Sequence, residues 1–145
     1  MAAAGAQILR NQSLYWEREG QRVQLIGLDD PSFLVQESQL EDHLHSLQNE
    51  DCYQILLSHR PELFDVYAAA GVDLSLTGHA HGGQVRIGSQ GIYSPGQGLF
   101  PKLTSGFYFD DKLFISRGMT NSACAPRLWC PCELVMVRLL PNRAI

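Results

Sequence analysis

Two histidines flanked by glycines form the most chemically distinctive motif of this chain. They are His79 and His81, in the string Gly78-His79-Ala80-His81-Gly82-Gly83. In an extended segment, residues two positions apart point to the same side, so both imidazoles can reach one polar site. The glycines permit a sharp bend and the close approach of a ligand, and neutral imidazole is the commonest protein ligand for transition metals. The motif predicts a metal site, with a solvated polar turn as the alternative.

A third histidine, His59, is expected at the same place. It follows the apolar run Tyr53–Leu57 as closely as His79 follows the run Val72–Thr77. The two runs predict short buried strands with a helix between them, which is a βαβ unit with parallel strands. Ligands of open α/β sheets gather just beyond the carboxyl ends of such strands. We therefore expect His59, His79 and His81 on one rim of the sheet.

The elements that must position these residues predict an α/β fold with a mixed sheet. The first quarter predicts a hairpin, since Ser13–Glu17 and Val23–Leu28 flank the turn-like pair Glu19-Gly20. Leucines at three- and four-residue steps predict an amphipathic helix from Gln36 to Gln48. A second helix, over Glu62–Ala70, belongs to the βαβ unit. Residues 1–145 are expected to form a single domain, and the further strand candidates are Val85–Ile87, Gly106–Phe109, Leu113–Ser116 and Glu133–Leu139.

Composition excludes several classes of function. The chain has 145 residues, with 11 Lys and Arg against 15 Asp and Glu and a net charge of −4. That balance disfavours a nucleic-acid-binding face, which needs clustered basic residues. No stretch approaches the ~18 to 20 apolar residues of a membrane span, and the opening residues lack the pattern of a secretion signal. The cysteines do not form a disulfide pattern, which favours a reducing, cytoplasmic compartment; they are Cys52, Cys124, Cys130 and Cys132.

Other polar residues carry weaker signals. Arg117 follows a strand candidate in a glycine-rich stretch, where with Asn121 it is a candidate for binding a substrate phosphate. His43 and His45 lie two apart in the predicted helix, which places them on nearly opposite faces and indicates a solvated surface. The spacing of the cysteines does not match a structural zinc site, so packing is their default role.

Two motifs resemble the C-terminal signatures of calcineurin-like metallophosphoesterases. They are Leu57-Ser58-His59-Arg60-Pro61-Glu62 and Gly78-His79-Ala80-His81-Gly82-Gly83-Gln84, and the similarity is greatest to the branch typified by bacterial YkuE-like and YaeI-like enzymes. It extends from about residue 6 to the end of the chain. The resemblance implies an α/β sandwich and hydrolysis of a phosphomonoester or phosphodiester at a two-metal centre containing Mn, Zn or Fe. By resemblance, His59 and His79 ligate one ion and His81 the other.

The match is confined to half of that family's pattern. The D-x-H, GDxxD and GNH motifs, which supply the bridging aspartate and other ligands in the family, do not occur in these residues. The chain is therefore expected to be the C-terminal half of such a domain, truncated and weakly active or inactive alone. Its expected partners are a phosphoester substrate and an N-terminal half or a second copy, and a longer form could be anchored to a membrane. The alternative is a non-catalytic metal-binding or interaction module.

Overall fold

The computed structural model describes residues 5–30, 39–49, 51–120 and 126–140. These residues form a mixed α/β fold built on one six-stranded sheet. The strands of this sheet are β1 (Gln12–Arg18), β2 (Gln21–Gly27), β3 (Tyr53–Leu57), β4 (Leu74–Thr77), β9 (Gly106–Tyr108) and β10 (Leu113–Ile115). The helices are α1 (Leu40–Leu47) and α2 (Phe64–Ala69), with 3₁₀ turns at Pro61–Leu63 and His81–Gly83. Two small hairpins pair β5 (Arg86–Ile87) with β6 (Gln90–Gly91) and β7 (Tyr93–Ser94) with β8 (Gly98–Leu99).

The main sheet has four parallel strands at its centre and an antiparallel strand at each edge. Its order is β1-β2-β3-β4-β10-β9. Strands β2, β3, β4 and β10 run parallel to one another, while β1 and β9 are antiparallel to their neighbours. The carboxyl ends of the four central strands therefore meet at one edge of the sheet, where α/β folds bind their ligands.

Both helices pack on the same face of the sheet. The core beneath them contains Ile26 and Leu56 from the sheet, Leu40 and Leu44 from α1, and Tyr67 from α2, all of them fully buried. The leucine spacing in α1 places its apolar side chains in one stripe, as an amphipathic helix requires. Burial of this face fixes the register of the strands, because a slip of one residue would turn every core side chain to the opposite face.

Most of the predicted elements are confirmed, with shifted ends. The hairpin, the parallel βαβ unit and the strands near residues 86, 107 and 114 are present. The helix predicted from Gln36 begins at Leu40, and residues 36–38 lie outside the described ranges. The predicted helix over Glu62–Ala70 divides into a 3₁₀ turn and the α-helix Phe64–Ala69.

Two expectations are wrong. Glu133–Leu139 is not a strand: Leu134 and Met136 are 89% and 90% exposed, and no strand of the described part pairs with this segment. An alternating apolar sequence forms a strand only when a neighbouring edge accepts its backbone hydrogen bonds. His43 is only partly exposed, and its Nε2 is buried without a hydrogen-bond partner in the described ranges, so this histidine is not a solvated surface residue. His45 is, as expected, exposed and near Glu41.

The described helices include none that is long and apolar enough to cross a membrane.

Candidate metal site at the carboxyl edge of the sheet

Each of the four parallel strands is followed by a polar or charged side chain at the same edge. Asp30 follows β2, His59 follows β3, His79 follows β4 and Arg117 follows β10. The backbone ladder continues past the strand ends, since the Gly78 amide donates to the His59 carbonyl over 3.3 Å. The connecting loops are thereby fixed to each other, and the side chains that follow the strands are held in place.

His59 and His79 are in direct contact. Nδ1 of His79 lies 2.8 Å from Nε2 of His59, and the ring centroids are 4.4 Å apart with an interplanar angle of 60°. The structure thus brings together two of the three histidines that the sequence placed on one rim. These two nitrogen atoms are the ones that a shared ligand would contact.

His81 has a different set of neighbours. Its Nδ1 lies 3.3 Å from the Thr120 carbonyl oxygen and 3.3 Å from Nη2 of Arg127. If Nδ1 donates its proton to Thr120, the lone pair of Nε2 is free to bind a metal, with the carbonyl as the outer partner that fixes the tautomer. If Nδ1 instead accepts from Arg127, Nε2 carries the proton and does not bind. Metal binding at His81 therefore requires the first tautomer.

The loop that carries these histidines has an unusual backbone. Five of its residues have left-handed φ values: His79 (60°), His81 (49°), Gly82 (66°), Gly83 (81°) and Gln84 (53°). For residues other than glycine this conformation costs about 1–2 kcal/mol each, and such strain is concentrated at functional sites. Gln84 is also fully buried, and neither polar atom of its side chain has a hydrogen-bond partner among the described residues.

The two glycines of the loop are required by packing. A Cβ at Gly82 would lie 2.5 Å from Sγ of Cys130, and a Cβ at Gly83 would overlap the Cα of Gly91. The backbone of the histidine loop is therefore pressed against two other loops, and a larger residue at either glycine would displace it. The glycines of the motif thus allow close packing as well as the turn.

The pKa values of two histidines are lowered. Burial and then the nearby charge of His59 lower the pKa of His79 below its usual value. For His81, burial lowers the pKa most, the hydrogen bond to Thr120 raises it, and the charges of Arg127 and His59 lower it again. Both imidazoles are therefore neutral at pH 7, which is the form that coordinates a metal.

A buried tyrosine holds the loop on which His59 lies. Tyr67 is fully buried, and its hydroxyl donates to the Arg60 carbonyl over 2.9 Å. Since that bond uses the single phenolic proton, the Ser58 hydroxyl donates to the Tyr67 oxygen, 2.8 Å away. Burial raises the pKa of Tyr67. Both neighbours of His59 are thus anchored by one side chain of α2.

Two carboxylates near the histidines were not singled out from the sequence as site residues. Asp30 and Glu62 bind the Arg60 guanidinium, at 2.8 Å and 3.3 Å. Both act electrostatically on His79, raising its pKa against the larger effect of burial. Asp30 lies three residues after the end of β2, and the parallel pairing of β2 with β3 brings it to the site. The pairing of β2 with β3 was not predicted from the sequence, and Asp30 was therefore not predicted as a site residue.

Arg117, the candidate for binding phosphate, is paired within the protein. Its Nη2 and Nε lie 2.6 Å and 2.8 Å from Oε2 of Glu133, and its amide donates to Oε1. Burial alone would raise the pKa of Glu133, but its bonds to Arg117 lower that pKa below its usual value. Arg117 would have to exchange Glu133 for a phosphate in order to bind one. Asn121, the other candidate, lies outside the described residues, as does Cys124.

The donor set tests whether a divalent ion fits. Two imidazole nitrogens on one tetrahedral ion, at bonds of about 2.0–2.1 Å, lie about 3.3 Å apart. The observed 2.8 Å between His79 and His59 is a hydrogen-bond distance and is shorter than that separation, so the two rings would have to move apart to share an ion. Within the described ranges, no group of three or more His, Cys, Asp or Glu side chains could hold a metal. The described residues therefore supply some, but not all, of the ligands that a metal site needs.

Comparison with known proteins gives one informative match. The uncharacterized protein YpbG of Bacillus subtilis (strain 168) is 33% identical to this chain over 138 residues. The match covers 94% of this chain and 49% of YpbG. The chain thus spans about half the length of this relative.

No family profile matches the sequence. No solved structure matches it either.

Proposed function

We propose that this chain forms part of a metal-dependent phosphoesterase, with His59, His79 and His81 as metal ligands. The observation that carries the proposal is the 2.8 Å contact between His79 and His59 at the carboxyl edge of a parallel sheet. The pair lies beside a strained loop at the edge where ligands of parallel sheets bind, which supports a metal-binding arrangement. The resemblance of both histidine motifs to metallophosphoesterases supplies the reaction class.

In this proposal the histidines belong to two ion sites. His59 and His79 bind one ion, and His81 binds the other through Nε2 while its Nδ1 donates to Thr120. The ions are Mn, Zn or Fe. When bound, such a pair lowers the pKa of a water molecule and stabilises the charge that develops on the phosphoryl oxygens.

The remaining side chains at this edge of the sheet hold the metal-binding histidines in position and attract the substrate. Tyr67 and Ser58 hold the loop of His59, which keeps its Nε2 beside Nδ1 of His79. Arg127 places positive charge beside His81, where an anionic phosphoester is attracted. Arg117 binds the substrate by exchanging Glu133 for a phosphate oxygen, together with Asn121.

The proposed architecture is the C-terminal half of a metallophosphoesterase-type sandwich. The described residues contain no complete metal site, and YpbG is about twice as long as the matched stretch. Both facts support a second stretch of polypeptide as the source of the bridging carboxylate and other ligands. The chain alone is then weakly active or inactive. Cys52, Cys130 and Cys132 are free thiols, which supports a reducing location such as the cytoplasm.

A second candidate is a non-catalytic metal-binding module. The observation favouring it is that His81 faces Thr120 and Arg127, apart from the His59–His79 pair. In that case one ion is held by two imidazoles and water, with no second ion to complete a catalytic clamp.

The test is hydrolysis of bis-p-nitrophenyl phosphate with added manganese or zinc. This chain is assayed alone and after fusion to the half of YpbG that the match does not cover. We expect little turnover by the chain alone, and turnover by the fusion that His81→Ala and His59→Ala abolish. His45→Ala, on the exposed face of α1, is the control and leaves activity unchanged. A folded fusion that binds metal without hydrolysing phosphoesters would favour the second candidate.

A further inference from the structure

An open cavity adjoins the histidine loop on the side of His81. Its volume of about 430 Å³ is within the range of small-molecule sites, and it is lined by Arg127, Trp129, Cys130, Pro131 and Cys132. Two of these lining residues contact His81 directly. Nη2 of Arg127 lies 3.3 Å from Nδ1 of His81, and Sγ of Cys130 lies 3.2 Å from the His81 carbonyl oxygen. A molecule bound at His81 can therefore extend into this cavity.

Trp129 is exposed at the rim of the cavity, although both of its chain neighbours are fixed against the histidine loop. Its exposed fraction is 79%. The Leu128 amide donates to the Gln84 carbonyl, and the Arg86 amide donates to the Leu128 carbonyl. On the other side, Cys130 is buried. Because the chain is fixed before and after Trp129, its indole is held at the surface beside the cavity.

The backbone of Trp129 is also strained. Its φ is 53°, in the left-handed region that residues with a side chain rarely adopt. Such strain is concentrated at ligand-binding and catalytic sites. An exposed indole offers a flat apolar surface on which another aromatic ring can stack. The strain at Trp129 and its exposure beside a cavity both indicate a ligand that contains such a ring.

The cavity carries a positive charge as well. The guanidinium of Arg127 donates to the carbonyl oxygens of Thr120 and Arg117, and neutral carbonyls do not cancel its charge. Among the described residues, no carboxylate lies within ion-pair distance of Arg127; Glu133 is bound by Arg117 instead. An anionic group such as a phosphate is therefore attracted to this end of the cavity.

We propose that this cavity binds the organic group of the phosphoester, and that this group contains a flat aromatic ring, such as a nucleobase, which stacks on Trp129. The phosphate then lies beside His81 and Arg127. This inference rests on the proposed function, because it names the class of substrate for the same site. Stacking on an aromatic side chain accepts many kinds of ring, so the substrate class is that of phosphoesters with an aromatic ring.

The test compares the binding of adenosine monophosphate with that of ribose 5-phosphate, which has a similar sugar and phosphate but no aromatic ring. Titrations followed by the proton NMR signals of each compound measure both affinities for this chain, with a chelator present. We expect adenosine monophosphate to bind about tenfold more tightly, as stacking of one base provides. Phenyl phosphate shows whether a single aryl ring is sufficient or a nucleobase is required.

Variants of the two tryptophans locate the effect. Trp129→Ala should abolish the tenfold preference, and Trp129→Phe should retain most of it, because the stacking surface remains. Trp16→Ala is the control, since Trp16 is also half exposed but lies on β1, outside the cavity; this variant should keep the preference. Far-ultraviolet circular dichroism checks that each variant is folded.

Equal affinities for the two compounds, no binding of either, or an unchanged preference in Trp129→Ala would overturn the proposal. Loss of the preference in the fusion to the other half of YpbG would also overturn it, because that half would then cover Trp129. Failure of the proposed function is seen separately, as a folded fusion that does not hydrolyse phosphoesters with added metal. Hydrolysis without the ring preference would overturn the stacking proposal and leave the proposed function in place.

Discussion

At the scale of single residues, the candidate site depends on two imidazoles whose ring nitrogens face each other. Nε2 of His59 and Nδ1 of His79 are 2.8 Å apart, and burial lowers the pKa of His79 below its usual value. The side chains around them act indirectly. Tyr67 and Arg60 fix the loop, and Asp30 and Glu62 offset part of the effect of burial on His79.

Removing the hydroxyl of Tyr67 should destabilise the protein. Tyr67→Phe leaves the Arg60 carbonyl and the Ser58 hydroxyl without a buried partner, which should lower the free energy of unfolding by about 1–3 kcal/mol. Tyr15→Phe is the matched control. Tyr15 is 40% exposed and its hydroxyl accepts a hydrogen bond from the exposed side chain of Asn49, so the change should be within about 0.5 kcal/mol. Urea unfolding measures both, and equal effects would show that the Tyr67 hydroxyl does not anchor the loop.

The lowered pKa values of His79 and His81 predict that stability depends on pH. In the unfolded chain these imidazoles take up protons at their ordinary pKa of about 6.5, whereas the folded chain takes them up only at lower pH. Stability is therefore fully present above about pH 6.5 and declines as the pH falls through that value toward the lowered pKa values. Urea unfolding of the metal-free chain at about pH 7.5 and 5.5 measures the decline.

The control for this pH effect is His79→Gln, which should show a smaller decline between the two pH values. Glu133, whose pKa is lowered, loses its contribution only as the pH falls below about 4.5, so it does not enter this range. A His79→Gln variant with the wild-type pH dependence would show that His79 does not titrate differently in the folded and unfolded states.

At the scale of elements, the sequence was sufficient to bring His59 and His79 together but not to place His81 or the residues around them. Apolar runs ending at Leu57 and Thr77 identified two parallel strands, and the residues that follow them do meet. His81 could not be placed, because its orientation depends on consecutive left-handed residues and on packing against Arg127. Neither leaves a periodic pattern in the sequence. Pairings between distant residues, such as Arg117 with Glu133, were hidden for the same reason.

The strand predicted over Glu133–Leu139 does not form, which shows that alternation of apolar residues alone does not predict a strand. Alternation there is strong, yet in the described part of the chain the segment has no sheet edge to pair with. Glu133 itself is tied by its amide to the Gly118 carbonyl and by its carboxylate to Arg117. A strand forms only where its residues alternate suitably and a neighbouring strand accepts its hydrogen bonds. The alternation can be read from the sequence, but the neighbouring strand cannot.

The histidine loop should be sensitive to a single methyl group. Gly83→Ala combines a left-handed φ of 81° with overlap of the Cα of Gly91, so it should lower the free energy of unfolding by about 3 kcal/mol. Gly88→Ala is the control, because its φ is 60° and no atom lies within 4 Å of the added carbon. It should cost only the conformational part, about 1–2 kcal/mol. Equal losses in thermal or urea unfolding would mean that close packing does not define this loop.

At the scale of the whole molecule, one sheet carries two different surfaces. Its carboxyl edge brings together polar groups from four parallel strands, and its face opposite the helices is apolar from β1 to β9. A sheet with helices on one face only is half of a layered domain, and the match to YpbG likewise spans half of that protein.

The central claim is that His59 and His79 bind the same metal ion, and calorimetric titration of zinc into the folded chain at neutral pH tests it most directly. His59→Ala and His79→Ala should each weaken zinc binding at least about tenfold relative to the wild type. The double variant should weaken it little further, because one lost ligand already opens the site. His45→Ala, which removes an exposed imidazole from α1, should bind zinc as the wild type does. Equal zinc affinity in the wild type and in folded His79→Ala would contradict the claim.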